Sequence, residues 1–191
     1  MRRWTLSDRP HPPQQLSDNS PVTDTQTPVQ PARLWKQMPE AKRLLAAEAF
    51  WQERDGVEQQ IEAMTLIARH LKARPKFVQG LPLEKKARYL VSFPQMPDAL
   101  AARLLVSYHL AHQRPMLKGF LDALGIVHEE GLITADPEGP ISAERLAAAA
   151  DALDAAFPPE DVTLYLSTLL SQDPETWGAL QNVPQAARGR D

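Results

Sequence analysis

Residues 57–73 read VEQQIEAMTLIARHLKA, and the apolar positions Val57, Ile61, Met64, Ala68 and Leu71 follow one another at spacings of four, three, four and three. That alternation keeps one face of a 3.6-residue helix apolar, whereas a strand would need a repeat of two. The segment therefore predicts an amphipathic helix from Val57 to about Ala73. Just upstream, residues 39–53 (PEAKRLLAAEAFWQE) place Leu44, Leu45, Ala47, Phe50 and Trp51 in one stripe behind an opening proline. A second helix is expected there.

Proline at a helix start sets the rhythm of the rest, because the first turn has no acceptor for the N–H that proline lacks. Pro82 opens a helix to about Phe93, Pro97 one through Gln113, and Pro115 one through Leu124 that Gly125 ends in a left-handed conformation. Ser142 reads as an N-cap with Glu144 in the first turn of a helix to about Ala156. Pro159 and Pro174 open two more, the last capped by Asp173. Eight short helices joined by short connections predict an all-α fold, one helical domain over residues 33–183 built as a bundle or as stacked helical hairpins.

Between Gly125 and Pro140 the apolar residues Ile126, Val127, Leu132 and Ile133 flank Glu129, Glu130 and Gly131. This is a small hairpin or an anchored turn, and it is assigned to coil. Residues 38–44 (MPEAKRL) and 81–87 (LPLEKKA) share a pattern 43 residues apart. The period suits two-helix repeats, but any helix start looks like this and no third copy follows.

Residues 1–32 hold six of the eighteen prolines among Ser, Thr, Gln and Asp, with little to bury. Such a segment cannot offset its ordering entropy, so a disordered leader is expected there, and a flexible tail over residues 184–191. No apolar run approaches the roughly 20 residues that cross a bilayer, and the polar start lacks the core of a secretory signal. A cytoplasmic protein without membrane contact is expected.

Composition narrows the chemistry. The chain has no cysteine, which removes thiolate metal sites, disulfides and cysteine nucleophiles. No Gly-x-Ser-x-Gly, phosphate-binding loop or Gly-x-Gly-x-x-Gly occurs. The net charge of −3 conceals a lopsided distribution. Residues 69–88 carry seven bases against Glu84, and residues 129–175 carry eleven acids against Arg145. The two stretches are expected to attract each other, within one molecule or between molecules.

Three of the five histidines fall between Tyr108 and Ile133. His109 and His112, three apart on a helix, leave the same face, and His128 and Glu129, with Glu130 or Asp122, would complete a site for a divalent metal such as zinc, manganese or ferrous iron. The structural alternative is a pair of histidines at a helix C-terminus, near its negative dipole. Arg114, at the junction of two helices, would contact an anion or a partner, or else bond the carbonyls that end the preceding helix. The bases of residues 69–88, with Phe77 and Tyr89, resemble a phosphate-binding surface, but the acidic half repels the same polymer, so nucleic acid is not expected. Of the aromatic residues, Trp177 is the first candidate for exposure, although core is the commoner fate.

These readings converge on a noncatalytic helical protein-interaction module with no cofactor. It would present a charged groove to a protein partner, or to a second copy of itself. The alternative is a small metal-dependent enzyme built on His109, His112 and a carboxylate.

Overall fold

The computed structural model describes residues 29–135, 139 and 141–188, and it is all-α apart from one two-stranded hairpin. The helices are α1 (Pro31–Gln37), α2 (Glu40–Gln52), α3 (Val57–His70), α4 (Pro75–Gln79), α5 (Leu83–Val91), α6 (Asp98–His112) and α7 (Arg114–Ala123). After strands β1 (His128–Glu129) and β2 (Leu132–Ile133) come α8 (Ala143–Ala156), α9 (Pro159–Gln172), α10 (Pro174–Trp177), a 3-10 turn (Gly178–Asn182) and α11 (Pro184–Ala187). Among the described residues no helix is long and apolar enough to cross a membrane.

The punctuation operates as expected, with small shifts. Proline occupies the first turn of α1, α4, α7, α9, α10 and α11, while Pro39, Pro82 and Pro97 stand one residue outside, at the N-caps of α2, α5 and α6. Ser142 caps α8 by accepting from the Arg145 N–H at 3.3 Å, and Asp173 caps α10 by accepting from the N–H groups of Glu175 and Thr176. Gly125, with φ +63°, closes α7, and the Ile126 N–H returns to the Leu121 carbonyl at 2.9 Å.

The buried residues form two clusters. The first gathers α1 to α6 around Trp35, Phe50, Ile67, Leu90 and Leu104. The second gathers α7 to α11 around Phe120, Leu146, Val162, Leu166 and Leu180. Fully buried side chains of this size contribute about 2 kcal/mol each relative to exposure. Helix α6 meets α9 where the two clusters join, and α1 packs on both α6 and α9.

Three expectations change at the ends and in the loop. Residues 1–28 of the expected leader lie outside the described residues, but its last residues belong to the fold: Pro31 starts α1, and the Ala32 N–H donates to Asp98 Oδ1 at 2.9 Å. A seven-residue helix shows too few turns for its periodicity to be read. The expected tail starts too early, because Pro184–Ala187 is helical with Gln185 and Ala186 buried; residues 189–191 lie outside the described residues.

The segment assigned to coil contains a two-residue hairpin in which His128 faces Ile133 and Glu129 faces Leu132. Glu130 (φ +51°) and Gly131 (φ +90°) supply the two positive φ values of a type I′ turn. At Gly131 a Cβ would lie 3.0 Å from the Leu117 Cβ, so glycine is required twice over. Glu-Gly is not the Asn-Gly signal that announces such a turn, which is why the sequence pattern understated it.

Candidate functional site

Helix α6 is apolar over most of its circumference because it is covered on more than one side. Leu100, Ala101, Leu104, Leu105, Tyr108 and His109 are all buried on it. His109 therefore points into the interior, 2% exposed, and its Nε2 lies 3.2 Å from the Thr168 Oγ1 of α9. The Thr168 hydroxyl already donates to the Leu164 carbonyl at 2.8 Å, so its oxygen accepts and the proton belongs on Nε2. Nδ1 is then a buried acceptor with no donor among the described residues. Edge contacts with Tyr108 and Tyr165, at 5.4 and 5.3 Å between ring centres, hold the ring plane.

Burial pushes the His109 imidazole down to about 3, and the Lys42 cation adds to the effect. It is neutral at physiological pH. Burial also pushes the Tyr165 phenol up, so it stays protonated. Lys42 of α2 is bonded to the buried Asp161 of α9, which ties the first cluster to the second. Partial burial pulls the Lys42 ammonium down, but the hydrogen bond and charge of Asp161 outweigh it and the net direction is up.

The structure does not bring the histidines of the expected metal site together. His109 is inside, whereas His112, one turn later, is exposed and tilted against Tyr108 at 5.7 Å. The pair straddles the edge of the buried face instead of sharing an open one. His128 sits in the hairpin with Nε2 3.1 Å from Asp122 Oδ1, while its Nδ1 accepts from the Gly131 N–H at 3.3 Å. Glu129 is exposed. Among the described residues no group of three or more His, Asp and Glu is placed to hold a metal ion.

Arg114 takes the structural role of the two considered for it. Its Nε donates to the Leu110 carbonyl at 3.2 Å, near the end of α6, and its Nη1 lies 3.9 Å from Glu130. Lys118 donates to the same carboxylate at 2.9 Å and holds the Glu130 carboxyl below the usual carboxylate range, with Arg114 adding a smaller pull. Trp177 is buried, 3% exposed, so the core reading holds there.

Charge separates by region. Residues 29–112 carry thirteen Lys and Arg against eight Asp and Glu, and residues 113–188 carry four against twelve. On the basic side Arg69, Lys72, Arg74, Lys76, Lys85 and Arg88 are exposed along the end of α3, α4 and α5, with Phe77 57% exposed among them. Arg88 pairs with Glu84 at 2.7 Å, and Lys86 lies 5.0 Å over the Trp51 ring. Among the described residues none of these seven bases pairs with an acid beyond residue 128, so the expected pairing within the molecule does not occur.

A mixed-charge groove of about 700 Å³ runs between α2, α6 and the hairpin, lined by Glu48, Glu53 and Asp55 and by Arg54, Arg103 and Arg114. Arg103 and Glu53 bond to each other there. Thr168, Tyr165, Lys42 and Asp161 were not legible as site residues, since Lys42 and Asp161 stand 119 positions apart and no spacing connects them. No family model matches the chain, and no curated protein or solved structure shows significant similarity to it.

Proposed function

We propose that this chain is a noncatalytic helical interaction module whose basic ridge, along α3, α4 and α5, holds an acidic protein surface. The observation that carries the reading is the ridge itself: exposed bases around an exposed Phe77, with Glu84 as the one acid paired among them. Unpaired like charges repel one another, and an acidic surface relieves that repulsion while steering association. Phe77 supplies the apolar contact that charge alone lacks. The acidic surface nearest at hand is the α8–α10 region of a second copy, which makes a head-to-tail contact.

Sedimentation velocity at about 50 and 500 mM NaCl tests this, since screening at the higher salt shortens the reach of exposed charges to a few ångströms. Association at low salt that is lost at high salt, and lost in the Lys72→Glu, Arg74→Glu, Lys76→Glu variant, supports self-recognition. A chain that stays monomeric but binds polyglutamate through the same bases assigns the ridge to another acidic protein. Binding to neither, or tighter binding to single-stranded DNA than to polyglutamate, overturns the reading.

A further inference from the structure

Helix α3 buries Ala63, Ile67 and Ala68 and turns a charged stripe to the other side. Glu58, Glu62, Thr65 and Arg69, at spacings of four, three and four, form that stripe, and Lys72 stands exposed just past its end. Its first half is acidic and its second half basic. Among the described residues none of the four charges has an ion-pair partner. Beside the acidic half Val57 and Ile61 are 56% and 54% exposed. We propose that this stripe pairs with the same stripe of a second copy, the two α3 helices lying antiparallel about a two-fold axis at Thr65.

The order of charges selects the occupant and its direction. A two-fold axis at Thr65 sets Glu58 opposite Lys72 of the other copy and Glu62 opposite Arg69, and symmetry makes each contact twice. A parallel pairing would set acid against acid. Glu58 and Glu62, four apart on one helix, repel each other in the single chain, and bases across the axis offset that repulsion. The small Thr65 side chain at the crossing lets the helices approach closely. The sign order also suits the dipole of α3, but the dipole leaves Val57 and Ile61 in water, whereas a second copy covers them. Helix α3, 14 residues long, spans about 21 Å, so the contact lies at the small end of specific interfaces and the dimer is weak. The pairing goes beyond the ridge reading: it draws on Arg69 and Lys72 and leaves Arg74, Lys76, Lys85 and Arg88 open to an acidic surface.

The test is sedimentation velocity of the full chain at about 50 mM NaCl, where exposed charges reach far, at concentrations up to about 500 μM. A native dimer is expected, its Kd raised at least about 10-fold in Glu58→Lys, Glu62→Lys, although that variant gains bases and keeps its binding to polyglutamate. Arg69→Glu, Lys72→Glu should weaken the dimer as much. The four substitutions together invert the stripe without changing net charge and should restore the dimer, with circular dichroism showing that the helices are kept. Because the chain has no cysteine, oxidised glutathione should link Thr65→Cys chains across the axis and leave Val127→Cys chains, exposed in the hairpin, unlinked. A native chain that is monomeric throughout, a Glu58→Lys, Glu62→Lys chain that associates as the native does, a folded inverted variant that stays monomeric, or Thr65→Cys linked no more than Val127→Cys would overturn the pairing. Polyglutamate binding by a chain that stays monomeric leaves the ridge reading standing while this one falls. A dimer restored by the inversion, in a native chain that binds no polyglutamate, places the contact on α3 and not on the ridge.

Discussion

His109 Nε2 on α6 lies 3.2 Å from Thr168 Oγ1 on α9, a hydrogen bond between residues 59 positions apart. It places a neutral imidazole at the junction of the two buried clusters, where protonation would put an uncompensated charge in the interior.

The pH dependence of stability follows from that burial. The folded value of about 3 lies below the ordinary 6.5, so between those limits the unfolded chain binds a proton that the folded chain refuses. Stability from this group is complete above pH 6.5 and falls as pH drops toward 3. Urea unfolding at pH 7.5 and 5 should differ by roughly 2 kcal/mol more in the native chain than in His109→Leu. Equal slopes in the two proteins would show that His109 takes up its proton while folded.

Lys42 and Asp161 should behave as a coupled pair. Their side chains are 25% and 10% exposed, so removing either one leaves a partly desolvated charge behind. Lys42→Met or Asp161→Asn should each cost about 2 kcal/mol, and the double variant less than the sum. Because the Lys42 value is raised, its contribution is present throughout the range below the ordinary value of 10.5 and is lost only as pH rises above that. A double-mutant cycle at pH 7 and pH 9 should therefore return the same coupling energy.

The hairpin gives a contrast between two glycines. Gly131→Ala must adopt a φ near +90° with its Cβ against Leu117, and should cost about 1–2 kcal/mol. Gly119→Ala, inside α7 with its Cβ 4.0 Å from Leu153 Cδ2, should instead stabilise by about 0.5–1 kcal/mol. Thermal unfolding should move the two Tm values in opposite directions; a shift of the same sign would mean that the turn is not held as described.

The scattered histidines carry a prediction for metal. With His109 inside and His112 outside, the double variant His109→Ala, His112→Ala should leave zinc uptake by the untagged chain unchanged when measured by mass spectrometry. Stoichiometric zinc that disappears in the variant would require the end of α6 to rearrange.

Arg114 should matter little to stability. Half-exposed and bonded to the Leu110 carbonyl, it should change unfolding free energy by less than about 0.5 kcal/mol when replaced by alanine.

Much of the helical framework is readable from local pattern. The spacing of Val57, Ile61, Met64, Ala68 and Leu71, the prolines that open α7, α9 and α10, the caps Ser142 and Asp173, and Gly125 after α7 each act within a few residues of themselves, through backbone geometry and unsatisfied helix ends, whereas the five-residue α4 behind Pro75 was not read. Periodicity does not say which stripe is covered, however. Val57 and Ile61, on the apolar stripe of α3, are more than half exposed, while Ala63 and Ile67 are fully buried.

The histidines show the same division. Their chain positions suggested one cluster, but an imidazole becomes a ligand, a buried acceptor or a surface group according to what packs on it. His109 is covered by Thr168 and Tyr165 from a helix some fifty residues later, and no local rule reports that contact. The sequence by itself determined the helical class, most helix boundaries and the segregation of charge, because these depend on near neighbours and on counting. Only the tertiary structure decided that, among the described residues, the basic ridge pairs with no acid of the C-terminal stretch, and that His109 faces inward while His112 faces water. Those outcomes depend on which distant surfaces exclude water from one another, and in this chain that is settled by the packing of α6 against α9.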